Sequence, residues 1–187
     1  MTRRQLLDYI ALALIWGSSF VLLLRVVDAV GWIGAVAFRA LVAAAILLVL
    51  ATATRRRLAF DGAWRPLLAV GATTVAGQLI GLSFATPRIG TSMSAILVAT
   101  IPLFSMAIGH LWHVERLTPV GRIGLLLGFG GTVLLVGFPA VPVTGEFVLG
   151  VIASLLGAFS AALGSNIARR HLQAVGSWEQ TIGSFFF

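Results

Sequence analysis

Arg39 is a guanidinium seven positions into an apolar run that extends from Trp32 to Ala53. A cation at that position has two readings. Its long stem can carry the charge back to the nearer headgroups. Alternatively, it is a fixed positive charge in an internal cavity, where it would hold a carboxylate or freed backbone carbonyls. Thr74 and Gln78 stand one helical turn apart in another apolar run, beside Thr73, so they share a face. They are either hydrogen-bond glue between helices or donors and acceptors along a wet path for a polar solute. Trp16-Gly17-Ser18-Ser19 interrupts a third apolar run near its middle. Tryptophan favours membrane interfaces, so Trp16 at mid-depth with Ser19 beside it marks either packing or a site facing the bundle.

Other chemistries fit less well. His110, His113 and His171 have no spacing that makes a metal site, and no cofactor motif occurs. Without cysteine, disulfides, thiolate metal sites and a cysteine nucleophile are excluded. Ser92 and Ser94 are conceivable nucleophiles for an intramembrane protease with His110 as base. Along a continuous helix, however, Ser94 and His110 would be about 24 Å apart, far beyond hydrogen-bond reach. No enzyme is expected. Asp8, Asp28, Asp61, Glu115, Glu146 and Glu179 all fall at run ends or between runs. No carboxylate sits in the middle of a complete run, which disfavours proton exchange through a mid-helix glutamate.

The elements that would position these residues follow from composition. Of 187 residues, 59% are hydrophobic and only 10% charged, far below the roughly one quarter charged of a soluble domain. A chain this short cannot bury that much apolar surface in itself, so lipid must cover it. About 20 apolar residues cross the hydrocarbon core as a helix, and six segments qualify: Leu6–Leu24, Trp32–Ala53, Pro66–Ala85, Thr91–Trp112, Pro119–Phe138 and Phe147–Ala168. A seventh starts near Ser177 and stops at Phe187. The first run is too long for a signal peptide, and more apolar runs follow it. Thr118-Pro119 has the form of an N-cap with proline in the first turn, Pro66 opens the third helix similarly, and Pro139, Pro142 and Gly145 mark a turn. Pro102 should kink the fourth helix near Val98, freeing a carbonyl for a neighbour to satisfy.

Net charge is +7, and all thirteen basic residues are arginine. They lie in short clusters between apolar runs, which is a membrane-topology pattern and not a nucleic-acid footprint. With the N-terminus in the cytoplasm, Arg3, Arg4, Arg55, Arg56, Arg57, Arg65, Arg116, Arg122, Arg169 and Arg170 are cytoplasmic. Only Arg25 and Arg88 then lie outside. This asymmetry predicts a multi-pass protein of the cell (inner or plasma) membrane with its N-terminus inside. Small residues at helical spacing, Gly77 with Gly81, Gly124 with Gly128, and the stripe Gly150, Ser154, Ala158, Ala161 and Ser165, are expected to let helices approach closely in lipid.

The stretch GLSFATPRIGTSMSAILVATIPLFSMAIGHLWHVERLTPVGRIGLLLGFGGTVLLVG has small residues early in the fourth helix, Pro102 near its middle, Glu115 after it, and a glycine-rich fifth helix with Gly121, Gly124, Gly128, Gly131 and Gly137. Together with LIWGSSF in the first helix and FRALVAAAILL around Arg39, it resembles the drug/metabolite transporter superfamily, in its EamA-type repeat, over Leu6 to Phe138. The resemblance implies an all-α polytopic helix bundle. Residues 1–140 would form one five-helix repeat, and residues 141–187 would begin an inverted second repeat. Leu163-Gly164-Ser165-Asn166-Ile167 faintly echoes Trp16-Gly17-Ser18-Ser19-Phe20. The family's implied activity is movement of small polar, amino-acid-like metabolites or drugs, often outward, by alternating access at the repeat interface. Trp16, Ser19, Arg39, Thr74 and Gln78 are then the expected substrate path. The expected partners are the lipid bilayer, a small-molecule substrate, and a second copy or complementing half. Because four helices of the second repeat are missing or incomplete, the competing expectation is a truncated or degenerate protein that does not transport and acts only with a partner.

Overall fold

The computed structural model describes residues 3–54, 62–113, 118–137 and 142–186, with the side chains of Arg3, Arg4, Thr54, Leu135, Val136 and Gly137 left aside. Arg55, Arg56, Arg57, Asp61, Glu115, Arg116 and Pro139 lie outside the described residues, as does the last residue, Phe187. The described chain is helical throughout: α1 (Arg3–Thr54), α2 (Trp64–Val70), a π-helical segment (Gly71–Gly77), α3 (Gln78–Val98), α4 (Ile101–Leu111), α5 (Pro119–Gly137), α6 (Gly145–His171) and α7 (Ser177–Phe186). No strand occurs among the described residues. Three helical runs are long and apolar enough to cross a bilayer, Gln5–Ala53, Trp64–Val98 and Gly145–His171.

Two of those runs contain a turn where loops are expected from the sequence. As a straight rod, the 49 residues of Gln5–Ala53 would extend about 74 Å, more than twice the hydrocarbon core. Gly31 interrupts it with φ 73° and ψ 167°, and Gly90 interrupts α3 with φ 80° and ψ 164°. These angles are open to glycine and strained for residues with a Cβ. The chain doubles back at each. Leu82 and Val98, equally far from Gly90 on either side, share one core cluster with Phe20, Leu23, Val27 and Ala35. Ala85 and Leu97 likewise share another with Ile89, Phe147 and Val151. The expected breaks at 25–31 and 86–90 therefore shrink to single glycines. The first helix continues past Leu24, and Pro87 is accommodated inside α3.

Other expectations are met or modified locally. The Thr118 hydroxyl accepts from the Gly121 N–H at 3.1 Å, closing the cap at the start of α5. The fourth helix does break before Pro102, at Ala99–Thr100, and Pro102 lies in the first turn of α4. The break is capped from within, because the N–H and hydroxyl of Thr100 both donate to the Leu97 carbonyl, at 3.1 and 2.6 Å. Trp16-Gly17-Ser18-Ser19, by contrast, does not interrupt the helix. Ser18 and Ser19 donate to the carbonyls of Ile15 and Trp16 within their own turn, which removes their competition for the backbone.

Helix α6 is the centre of the packing, and its glycines set the distance. Gly150, Gly157 and Gly164 recur every seven residues and face the helical run from Trp64 to Gly90. A Cβ on Gly150 would lie 2.6 Å from Ile89 Cγ2, one on Gly157 would touch Gly81 Cα at 3.4 Å, and one on Gly164 would overlap the hydroxyls of Thr73 and Thr74. Gly81 is the reciprocal position, where a Cβ would lie 2.6 Å from the Ala153 carbonyl and 2.8 Å from Gly157 Cα. Backbones this close exchange dispersion contacts that lipid cannot replace. The expected stripe is thus correct at Gly150 and at the buried Ser154, Ala158 and Ala161, but the closest contacts belong to Gly157 and Gly164. The Gly124–Gly128 pair divides. Gly128 packs on Leu103, whereas nothing lies within 4 Å of a Cβ at Gly124.

This difference is testable. Gly157→Leu should destabilise the detergent-solubilised protein by about 1–3 kcal/mol, the usual cost of overpacking, measured as a lower midpoint of thermal unfolding. Gly124→Leu should leave the midpoint nearly unchanged, and equal losses would contradict the assigned contacts.

Candidate functional site

Trp16, Ser19, Arg39, Thr74 and Gln78 line one cavity of about 380 Å³. Trp16 and Ser19 come from the first arm of α1 and Arg39 from the second, beyond Gly31. Thr74 comes from the π-helical segment and Gln78 from the start of α3. Residues 19 and 39 would be about 30 Å apart on a straight helix, so the reversal at Gly31 is what brings them to one space. Ser19 and Gln78 each lie twelve positions from their turning glycine, about 18 Å along the helix axis. That depth is close to the middle of a 30 Å hydrocarbon layer.

The polar groups of the cavity are unequally satisfied. The Ser19 hydroxyl donates to the Trp16 carbonyl at 2.7 Å, leaving its lone pairs to accept. Arg39 Nη1 and Thr74 Oγ1 are buried and have no hydrogen-bond partner. No carboxylate is among the lining residues. The remaining wall is apolar: Ile15, Phe20, Val75, Leu79, Leu82 and Phe185. Phe185 is supplied by α7, an element whose apolar residues gave no sign in the sequence of reaching this site.

The π-helical segment explains how Thr74 and Gln78 reach the cavity wall. Isolated π turns recur at functional sites because they shift side chains off the regular helical register. Here the distortion is held from both sides. Gly71 lies so close to Ser184 of α7 that a Cβ would overlap its carbonyl. On the opposite side, Ser160 of α6 donates to the Thr73 carbonyl at 2.8 Å, while the Thr73 hydroxyl donates to Ala69 O at 2.6 Å. In the sequence, the only sign of this segment is its run of small residues, Gly71-Ala72-Thr73-Thr74-Val75-Ala76-Gly77.

Sequence comparison identifies the family of the helices that carry these residues. The model of the EamA-like transporter family matches residues 6–137. The chain belongs to that family. No curated protein and no solved structure matches it significantly. This EamA-like chain is therefore a multi-pass helical membrane protein of a transporter family, and the family match ends with α5. Its α6 and α7 lie beyond the match, yet both hold the π-helical segment, and α7 adds Phe185 to the cavity wall.

Two further polar contacts in this EamA-like chain escaped the sequence reading. Asn166 is fully buried in α6, and its Nδ2 donates to the carbonyl and hydroxyl of Ser105 in α4, at 3.1 and 3.0 Å. The same amide reaches the Ala162 carbonyl at 2.9 Å. Arg88 pairs with Glu146 at 2.6 Å, donates to the Phe84 carbonyl at 2.7 Å and stacks on the Phe84 ring at 3.6 Å. A lone asparagine in a small-residue stripe and two charges 58 positions apart carry no local signal. Of the serines weighed as nucleophiles, Ser94 is fully buried and Ser92 exposed, and His110 is exposed.

The Asn166 contact makes a prediction. Asn166→Ala should cost about 0.6 kcal/mol, and at most about 1.7 kcal/mol, the measured range for interhelical hydrogen bonds in bilayers. Steric trapping or reversible unfolding in mixed micelles would measure it, and a much larger loss would show a role beyond this bond.

Proposed function

We propose that this protein carries small polar, amino-acid-like metabolites or related drugs across the cell membrane, outward, by alternating access between inverted five-helix repeats. Residues 1–140 supply the first repeat and 141–187 open the second. The observation that carries this reading is the mid-depth cavity, which gathers Trp16, Ser19, Arg39, Thr74 and Gln78 from three helical segments. Family membership makes transport the expected activity. A cavity near the midplane, at the junction of an early helical hairpin and later helices, is where carriers of this architecture place their solute. Any second repeat, whether in the same polypeptide or in a complementing half, would close the side of the cavity that these helices leave open.

Flux provides the direct test. Protein reconstituted in vesicles should move a radiolabelled mixture of amino acids down its gradient. Arg39→Ala should reduce the initial rate about tenfold or more while leaving the amount of inserted protein unchanged. That factor corresponds to loss of one charge-assisted hydrogen bond to solute. Unaltered flux in Arg39→Ala would remove Arg39 from the path, and absence of flux in the parent protein would reject the carrier.

Orientation has its own test, for which a cysteine-free chain is well suited. Asp28 and Ala174 are both exposed, near opposite ends of the bundle. In intact cells, an impermeant maleimide should label Asp28→Cys directly and Ala174→Cys only after permeabilisation. The reverse pattern would place the N-terminus outside.

A further inference from the structure

The charge balance of the cavity narrows the kind of solute it can hold. Arg39 brings a permanent positive charge to the wall, with Nη1 buried and unpartnered. No aspartate or glutamate lines the same space. An arginine at this depth costs free energy unless something meets its charge and its donors. Guanidinium groups present paired N–H donors in a fork that fits carboxylate and phosphate oxygens. Thr74 Oγ1 is a second unpartnered polar atom on this wall. The rest of the lining is Ser19, Gln78 and Trp16 together with aliphatic and phenyl side chains. Such a wall suits an apolar body, and it offers an ammonium, where the solute has one, only the neutral acceptors of Ser19 and Gln78. A volume of about 380 Å³ lies at the lower end of the range for small-ligand pockets.

We propose that the cavity recognises small amphiphilic organic oxyanions, above all monocarboxylates and zwitterions with one apolar substituent, and that Arg39 is the group that binds the oxyanion. The proposal rests on the reading of this cavity as the solute path. The solute's carboxylate accepts from the Arg39 guanidinium. Its apolar part lies against Trp16, Phe20, Leu79 and Leu82. Arg88 offers no comparable site, because Glu146 and the Phe84 carbonyl already take its donors.

The test uses the full chain in detergent and a pair of probes that differ in one group. 3-Iodobenzoate and 3-iodobenzamide both quench tryptophan fluorescence on contact, and only the first is an anion. Trp16 on the cavity wall gives the signal, and Trp16→Phe should lose the saturable part of it. In the parent protein, 3-iodobenzoate should half-saturate at a concentration about tenfold or more below that of the amide. Arg39→Gln should abolish that preference, and Arg39→Lys should restore part of it. Equal affinity for acid and amide in the parent protein would overturn the proposal without recourse to a variant, so it is decided even where Arg39→Gln fails to fold. Unchanged acid binding in a folded Arg39→Gln protein would overturn it as well. Repeating the titration in phosphatidylcholine nanodiscs, with and without phosphatidylglycerol, identifies the source of the oxyanion. Acid binding that survives the anionic lipid supports a free solute, whereas its competitive loss would give the site to a lipid phosphate and overturn the solute assignment. Failure of flux with the acid preference intact would reject the carrier and keep the oxyanion site. Flux without an acid preference would do the opposite.

Discussion

Close backbone contact between α6 and the run from Trp64 to Gly90 fixes where the other helices can lie. Inside a bilayer, no hydrophobic force draws one apolar helix to another, so association depends on dispersion and hydrogen bonding at short range. Gly81 meets Gly157 with almost no side chain between them. Once these helices touch, Ser160 is near enough to take the Thr73 carbonyl. That bond stabilises a helical segment out of α-register, and the segment carries Thr74 to the cavity. The site therefore depends on glycines that do not line it.

The second constraint is reversal of direction with very little chain. Gly31 and Gly90 turn the backbone with single positive-φ residues, keeping almost every neighbouring peptide group in helical hydrogen bonds. A longer loop would leave more N–H and C=O groups to be met by other means, which is costly near lipid. Because the turns are so tight, residues at equal distances from them come level with one another. Leu82 and Val98 fall in one core cluster across Gly90, and Ser19 and Arg39, twelve and eight positions from Gly31, line one cavity. The cavity follows from these registers.

Much of this was legible in the sequence because lipid imposes simple rules. Apolar length located the helices, and Trp16, Ser19, Arg39, Thr74 and Gln78, which line one cavity with other side chains, stood out in the sequence because such residues at depth are conspicuous against leucine and alanine. The Thr118 cap and the break before Pro102 followed from local backbone chemistry. What escaped the sequence depends on pairing between distant segments. Gly157 and Gly164 look no different from other small residues of α6 until Gly81, Thr73 and Thr74 are placed opposite them. Phe185 becomes a cavity residue only because α7 packs against the π-helical segment and α1. The Ser18 and Ser19 hydroxyls satisfied themselves within the helix, so a motif that resembled an interruption left the rod intact.

Arg39 and Arg88 show how environment separates two identical side chains. Arg88 lies two residues before the turn at Gly90, where Glu146 neutralises it and Phe84 supplies both a carbonyl and a ring face. Its requirements are met by the fold, as expected for a residue that braces α3 against α6 near one end of the bundle. Arg39 lies eight positions from its own turn, about 12 Å deeper than Gly31. Its Nη1 is buried without a partner, beside a space large enough for a small solute. A cation that contributed only to stability would be better replaced there by an aliphatic side chain, because burial without a partner is destabilising. On the proposed reading, that unmet donor is the one a solute entering the cavity would take.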